Sequence, residues 1–501
     1  MAIRRLAAAS LLLLSQPARG LRTTPSRGAQ LHGEGAPPTA AGMNLERRAE
    51  EARRSHTMRT FTEEVGRRIL ETPGIQQAAG TADVSGAIMD ETVANCTLNT
   101  SSCGMAEFAK GNVTNVFPGG KTRCIFGDEF FFRVFPGASD KLLIHLDGGG
   151  ACWDEVTTVM TTTCVTNCIV RPMYGAFNTC PGGNPFDGYT VIFVPHCSGD
   201  MHVGNVARPW TPSRNPDANI EQRGLLNFRS VLDWAKANMA PKLAHLAFSG
   251  ESAGAIGMKM WTPTVLRALP HERASVLADS YIGIFPDNFQ GGIFKDFGVC
   301  DAGLLDGEMQ EKCQRGEATI PEVFNSVIKE FPGVTFGSLN SKQDASQVMF
   351  FGVAVGSQRV RKAKAYCGDV DPDECDLSAA PPDVLEEGPS LDGVEYHRRI
   401  EEVIEMYSQN PNYVSYLQSA GSHTLLPFTF GNCSYLDYSN VLPGTYFLDG
   451  RDGAQRWSIQ NWTRHFFNPA ERRKSSACER FTRELDDDDY CRDKQVLHEA
   501  M

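Results

Sequence analysis

Residues Gly250–Gly254 read glycine, glutamate, serine, alanine, glycine, a spacing that can present a serine for nucleophilic attack. A short apolar stretch with strand character, Leu243–Phe248, precedes them, and Ala255–Trp261 can continue as a helix. So tight a turn between a strand and a helix strains its central residue, and only small neighbours leave room for it. Such a pattern also occurs in ordinary surface turns. We predict that Ser252 is exposed on a nucleophile elbow, at the N-terminus of a helix.

A serine nucleophile needs hydrogen-bond donors for the oxyanion that forms on the attacked carbonyl. The glycine-rich segment Asp147–Trp153 follows a strand-like stretch about a hundred residues before Ser252. Glycines let the backbone approach a substrate oxygen closely, so the sequence predicts Gly149 and Gly150 as donors, together with Ala253 after the nucleophile. The alternative is a tight turn without substrate contact.

The general base is expected late in the chain, as a histidine on a small-residue loop that follows a strand. His423 fits this description, because it follows the strand-like stretch Val414–Leu417 and lies among serine, glycine and threonine. The other histidines after Ser252 sit beside a helix, in charged or aromatic surroundings or in the tail: His271, His397, His465 and His498.

The acid that orients this histidine is expected between the nucleophile and the base. Asp344 fits, because it follows the apolar segment Val334–Leu339. Asp279 and Asp287 follow the nucleophile closely and about one strand early. Composition and order leave the acid open, and the remaining candidates lie in an acidic loop between two cysteines: Asp369, Asp371 and Asp373.

The elements that must position these residues alternate between strand and helix. Apolar strand-like runs are predicted at Leu142–Leu146, at Thr190–Val194, before Ser252 and around Ala278–Ile284, and an amphipathic helix at residues 222–239. This order is typical of a parallel sheet with crossover helices, so the predicted class is α/β.

Length, charge and local composition indicate the size of the core, the class of partner and the domain bounds. The 501 residues, 41% of them hydrophobic, can bury a large core, and the net charge of −12 offers no basic face for nucleic acid. Residues 1–20 read as a secretory signal, with an uncleaved anchor as the alternative, and 21–55 as a disordered linker or propeptide. The enzyme domain is expected at 56–472, and a charged tail at 473–501.

Secretion is also indicated by cysteines and glycosylation motifs. The 15 cysteines lack paired zinc spacing, so disulfides are preferred over a metal site, and their odd number leaves at least one thiol unpaired within the chain. A secreted or luminal protein would carry glycans at its five N-x-S/T sites: Asn95, Asn99, Asn112, Asn432 and Asn461.

Several segments together resemble the pectin acetylesterase/Notum family of serine carboxylesterases. Leu146–Trp153 is similar to its glycine block, Gly250–Gly254 to its elbow, and Pro195–Gly204 to the stretch between them. Ser341–Gln347 resembles the acid segment, which favours Asp344, and Ser422–Thr424 the histidine loop. The resemblance covers about residues 115 to 430 and implies an α/β-hydrolase fold: a mainly parallel sheet with flanking helices and disulfide-stabilised loops.

The resemblance implies a serine esterase that uses Ser252, His423 and Asp344 without metal or organic cofactor. Trp153, His202 and Glu251 are the candidates for substrate contacts, although a structural role fits His202 equally well. Ala151 replaces the aromatic residue of the family's glycine block, and Asp147 replaces its glutamate. Substrate specificity therefore does not carry over with the motifs.

Three functions follow from this sequence. The first is a secreted esterase that removes O-acyl groups, above all acetyl, from polysaccharides. The second keeps the chemistry and removes a longer acyl chain from a protein or lipid. The third is a secreted binding protein that has the fold and has lost the activity, which failure of a fluorophosphonate to label Ser252 would favour. Oligomeric state and disulfide pairing stay open.

Overall fold

The computed structural model describes residues 60–62, 64–65, 93–159, 163–169, 184–209, 219–371, 374–418, 421–428 and 459–467. The strands in these ranges are β1 (Val93–Thr97), β2 (Val113–Phe117), β3 (Phe132–Phe135), β4 (Ala138–Leu146), β5 (Tyr189–Val194), β6 (Val206–Pro209), β7 (Asn219–Gln222), β8 (His245–Glu251), β9 (Ala274–Asp279), β10 (Thr335–Ser341) and β11 (Tyr413–Gln418). The α-helices are α1 (Glu155–Val159), α2 (Gly224–Asn238), α3 (Ala253–Ala268), α4 (Gln290–Asp296), α5 (Gly307–Arg315), α6 (Ile320–Glu330), α7 (Ala345–Cys367), α8 (Pro382–Leu385), α9 (Gly393–Ser408) and α10 (Ile459–Phe467).

A nine-stranded sheet forms the centre, in the order β1-β2-β3-β5-β4-β8-β9-β10-β11. The strands from β5 to β11 in this order are all parallel, and β3 is antiparallel to both of its neighbours. β8, β9 and β10 are buried along their whole length, as expected for parallel strands covered by helices on both faces. The predicted α/β class with a mainly parallel sheet is confirmed.

The carboxyl ends of β4, β8, β9, β10 and β11 meet at one edge of this sheet. In open α/β sheets this edge is where ligands bind, because each strand delivers its following loop there. The glycine-rich segment follows β4, Ser252 follows β8 and Asp344 follows β10. The loop with His423 follows β11, so the fold gathers the predicted site residues at this edge.

One predicted strand lies earlier in the chain than expected. The prediction placed it around Ala278–Ile284, whereas β9 spans Ala274–Asp279. Ser280 has a φ of 57° and Gly283 a φ of 107°, and such left-handed backbone cannot continue a strand. The chain therefore leaves the sheet after Asp279, and Tyr281 and Phe285 line a cavity.

Five disulfides join cysteines of the described residues: Cys96–Cys103, Cys124–Cys197, Cys152–Cys164, Cys300–Cys313 and Cys367–Cys375. Cys168 is the unpaired thiol of this part of the chain, and burial raises its pKa to about 12. A thiol with so high a pKa is a weak nucleophile at neutral pH. Disulfide-stabilised loops, as predicted, surround the sheet.

Several sequence predictions fall outside the described residues: the signal segment 1–20, the linker 21–55, the tail 473–501 and the motif at Asn432. Asn95, Asn99 and Asn112 are exposed, and Asn461 lies in α10. Within the described ranges, no helix combines the length and the apolar character that crossing a bilayer requires.

Candidate active site

Ser252 occupies a strained turn between β8 and α3. Its φ of 52° and ψ of −124° lie outside the regions that non-glycine residues favour, which stores on the order of 1–3 kcal/mol of strain. The neighbouring backbones leave no room for larger residues, since a Cβ on Gly254 would lie 2.1 Å from the carbonyl oxygen of Leu146. The Ser252 N–H donates to the carbonyl of Asp279 at 2.9 Å, which ties the turn to β9. This geometry is that of a nucleophile elbow.

His423 lies within hydrogen-bond distance of the serine. Its Nε2 is 2.8 Å from Oγ of Ser252, and its side chain is 20% exposed. In the neutral ring an unprotonated Nε2 accepts the serine proton, and Nδ1 then carries the hydrogen. His423 is therefore placed to act as a general base toward Ser252.

Asp344 determines which nitrogen of His423 carries that hydrogen. The carboxylate is fully buried, and Oδ2 accepts from Nδ1 of His423 at 2.8 Å. Asp344 is also the N-cap of α7, where Oδ1 accepts from the N–H groups of Ser346 and Gln347 at 3.0 Å each. The side-chain amide of Gln347 donates to Oδ2 at 2.9 Å. The helix thus fixes the carboxylate in the orientation that serves the histidine.

The surroundings of His423 favour its charged form. Burial lowers the pKa of the imidazole, but the carboxylate of Asp344 and, more weakly, that of Asp279 raise it, so that the pKa lies above the ordinary histidine value. A histidine that readily accepts a proton suits a general base whose partner is a serine hydroxyl. The Ser252–His423–Asp344 arrangement can activate a hydroxyl and return its proton to a leaving group.

The glycine-rich segment passes directly over the nucleophile. A Cβ on Gly148 would lie 2.8 Å from Cβ of Ser252, so a side chain there would collide with the serine. Gly149 and Gly150 have φ angles of 142° and 69°. Gly150, Ala253 and Ser252 line one cavity, and backbone N–H groups in the first turn of a helix such as α3 have no intrahelical partner. These positions suit oxyanion donors.

An apolar cavity opens beside Ser252. Aromatic rings build much of its wall, with Trp153 edge-on to Phe289 at 5.2 Å between ring centroids. Gln290, a polar residue in the wall, donates to the Gly283 carbonyl and accepts from the Ile320 N–H. Besides Gly150, Ser252 and Ala253, the lining residues are Ala151, Trp153, Met201, Ile256, Tyr281, Phe285, Phe289, Gln290, Ile293, Phe294, Ile320 and Phe350.

The three predicted substrate contacts lie in different places. Trp153 is in the cavity wall, where its ring N–H donates to Ser357 Oγ at 2.9 Å. His202 is buried under the glycine-rich segment, and its Nε2–H donates to the carbonyl of Asp147 at 2.9 Å. Burial lowers the pKa of His202 to about 4, so its ring is neutral near pH 7. Glu251 is buried beside His145, with 3.9 Å between the carboxylate and Nε2.

The other histidines and the exposed aspartates considered for the triad lie elsewhere, where the structure describes them. Nδ1 of His271 is bonded to the Leu269 carbonyl, while His397 and His465 lie within α9 and α10. Asp287, Asp369 and Asp371 are exposed, and Asp373 and His498 lie outside the described residues.

Sequence reasoning missed two features of this site. The sequence offers Asp279 only as an acid for the histidine, whereas in the structure its carboxylate binds the backbone of the histidine loop. The cavity wall from Tyr281 to Phe294 was also missed, because its first residues continue the apolar run of β9 and were assigned to a strand. A signal was present in the three phenylalanines at 285, 289 and 294, more than a strand end needs.

Comparison with known proteins finds a family likeness for part of the chain. A family described as Pectinacetylesterase matches residues 124–294, which include the glycine-rich segment and Ser252, and this match confirms the resemblance predicted from the motifs. No curated protein matches the sequence.

Two crystal forms of Notum from Drosophila, described as a Wnt deacylase, are among the similar solved structures. Each is 15% identical. The first match covers 72% of this chain and 95% of the Notum chain, with a TM-score of 0.47. The second covers 62% of this chain and 85% of the Notum chain, with a TM-score of 0.42. A likeness of this extent says nothing about the substrate of the present chain.

Proposed function

We propose that this carboxylic ester hydrolase, which carries the pectin acetylesterase match at residues 124–294, cleaves O-acyl esters with Ser252 and holds the acyl chain in the apolar cavity. The observation that carries this proposal is the position of Ser252 in the wall of a cavity whose lining is almost entirely apolar. Six aromatic side chains line this cavity, and they offer a far more extended apolar surface than the single methyl of an acetyl group can contact.

The reaction proceeds in two halves. His423 takes the proton of Ser252 as Oγ bonds to the ester carbonyl carbon, and N–H groups of Gly149, Gly150 and Ala253 stabilise the oxyanion. The C–O bond to the alcohol breaks, and His423 returns the proton to the departing oxygen. Water, deprotonated by His423, then attacks the acyl-enzyme, which releases the acid and restores the Ser252 hydroxyl.

A second candidate, removal of acetyl groups from polysaccharides, is supported by the family match. The cavity favours the longer chain, because each buried methylene contributes about 0.8 kcal/mol, or about fourfold in kcat/KM if the contact is made in the transition state. Acetyl and octanoyl esters of p-nitrophenol therefore distinguish the two candidates. A higher kcat/KM for octanoate supports the proposal, and a rate confined to acetate supports the second candidate.

A matched pair of variants tests whether the cavity holds the chain. Ile293 lies in the cavity wall, whereas Ile404 is a partly buried residue of α9 outside it. Ile293→Phe should lower the octanoate-to-acetate ratio of kcat/KM, since the added ring fills the cavity, and Ile404→Phe should leave the ratio unchanged. Equal ratios in both variants would refute the assignment. Ser252→Ala should abolish hydrolysis of both esters.

We also propose that the enzyme acts in the secretory pathway or outside the cell. Five disulfides in the described residues and exposed N-x-S/T motifs at Asn95, Asn99 and Asn112 support this. Expression in a eukaryotic host should deliver a protein whose mass falls on treatment with a peptide N-glycosidase. An unchanged mass would contradict the proposal for these motifs.

A further inference from the structure

Three consecutive backbone N–H groups follow the catalytic histidine, and all of them donate to the side chains of Asp279 and Ser280. The N–H groups of Leu425 and Leu426 donate to Oδ2 of Asp279 at 2.7 and 2.6 Å. The N–H of Thr424 donates to Oγ of Ser280 at 2.8 Å, and that hydroxyl in turn donates to Oδ1 of Asp279 at 2.7 Å. The histidine loop is thus bound to the end of β9.

The same residue holds the nucleophile. The backbone carbonyl of Asp279 accepts the N–H of Ser252 at 2.9 Å, while its carboxylate binds the loop that carries His423. β9 lies between β8, which leads to Ser252, and β10, which leads to Asp344. Asp279 is therefore the point at which the backbones of the nucleophile and the base are fixed to each other.

Burial makes these bonds costly to replace. Asp279 and Ser280 are both fully buried, so water cannot easily take over an acceptor that is removed. Thr424 has a φ of 58°, an unfavourable value for a residue branched at Cβ, directly after the histidine. Three hydrogen bonds within three residues oppose the relaxation of this backbone toward a conformation that would move the ring of His423.

We infer that Asp279, together with Ser280, is a positioning residue of the esterase reaction that keeps Nε2 of His423 within hydrogen-bond reach of Ser252. This inference rests on the proposed function for its kinetic consequences. Asp279 does not act as a second acid of the triad, since its oxygens bind the loop backbone and Ser280, whereas the ring nitrogen of His423 is bound by Asp344.

The test uses a graded set of variants in the full chain. Asp279→Ala removes every acceptor of the side chain, and Ser280→Ala removes the acceptor of Thr424 alone. Asp279→Asn keeps an oxygen for Leu425 and Leu426 and turns its amide toward Ser280. The control is Asp392→Ala, whose carboxylate also accepts two backbone N–H groups, from Val394 and Glu395, but at the exposed start of α9.

Hydrolysis of p-nitrophenyl octanoate is measured per mole of folded protein. A misplacement of about 1 Å can cost about a hundredfold in rate, so Asp279→Ala should lose on the order of a hundredfold in kcat with KM nearly unchanged. Ser280→Ala should lose less, Asp279→Asn should recover most of the loss, and Asp392→Ala should match the original enzyme. Wild-type kcat in folded Asp279→Ala would overturn the inference. If that variant does not fold, wild-type kcat in Ser280→Ala overturns it.

A second readout does not depend on turnover. The proton on Nδ1 of His423, bonded to buried Asp344, should give a downfield resonance in the proton NMR spectrum. The resonance should be lost or shifted in Asp279→Ala and Ser280→Ala and restored in Asp279→Asn. An unchanged resonance in the alanine variants contradicts the inference even if no ester is hydrolysed. Absence of hydrolysis in the original enzyme contradicts the proposed function alone.

Discussion

Replacement of Asp344 by asparagine is the most informative change in the triad, because every partner of this carboxylate is a hydrogen-bond donor. Oδ1 accepts two backbone N–H groups at the start of α7, and Oδ2 accepts from Gln347 and from Nδ1 of His423. The asparagine oxygen will replace Oδ1, where two fixed backbone donors converge. The NH₂ group then faces His423 and donates to Nδ1.

That reversal gives His423 the wrong tautomer. With Nδ1 accepting, the ring carries its hydrogen on Nε2 and cannot take the proton of Ser252, 2.8 Å away. The corresponding change in another serine hydrolase lowers kcat about 10⁴-fold, which is about 5.4 kcal/mol of transition-state stabilisation. Stability should change by much less, because the oxygen still caps α7 and a whole cap contributes about 1 kcal/mol.

The assay compares kcat of Asp344→Asn and the original enzyme on one p-nitrophenyl ester, with folding checked by thermal denaturation. We expect a loss near 10⁴-fold with a small change in melting temperature. Activity within tenfold of the original enzyme in a folded variant would refute the tautomer argument. A large drop in melting temperature would instead mean that the cap of α7 depends on the charge of Asp344.

Two further predictions concern pH and a disulfide. Activity requires neutral His423. Its pKa lies above the ordinary value of 6.5 because Asp344 and Asp279 outweigh the effect of burial. We therefore expect kcat/KM to fall as the pH is lowered through a midpoint above 6.5, and a midpoint below 6.5 would contradict this. The Cys152–Cys164 disulfide anchors the glycine-rich segment, since Gly150 pairs with Cys164. Cys300–Cys313 closes a loop of similar length elsewhere. Each disulfide contributes about 3 kcal/mol to the free energy of unfolding. Double alanine variants should lower the melting temperature similarly, but only loss of Cys152–Cys164 should also lower kcat; equal kcat in both would refute the link.

The parts of the site that depend on local sequence could be predicted. A tight turn after a strand restricts residue types so strongly that Gly250–Gly254 predicts a nucleophile elbow. The strained φ of Ser252 in the structure agrees with this prediction. The order serine, acid, histidine favoured His423 as the base, and the structure brings His423 to Ser252. The same order left the acid open, and only the resemblance of Ser341–Gln347 to the family's acid segment favoured Asp344, which the structure places on His423.

The parts that depend on packing between distant segments could not be predicted. Asp279 follows the nucleophile too soon for the acid, and its hydrogen bonds to Leu425 and Leu426 span about 150 positions of sequence, which no local pattern reveals. The cavity combines Trp153, Phe289 and Phe350 from three separate segments. Apolar periodicity cannot tell such a wall from an ordinary core. His202 is a further example, because it is a polar residue close to the motifs in sequence, yet the structure buries it under the glycine-rich segment.

The proposed reaction depends on an acyl-enzyme formed at Ser252. The most direct test is mass spectrometry of the enzyme after reaction with an alkyl fluorophosphonate, which forms a stable bond to an activated serine. We expect one adduct, on the peptide that contains Ser252, complete loss of ester hydrolysis as the adduct forms, and no adduct in Ser252→Ala. An adduct on another residue, or full hydrolysis by Ser252→Ala, would contradict it.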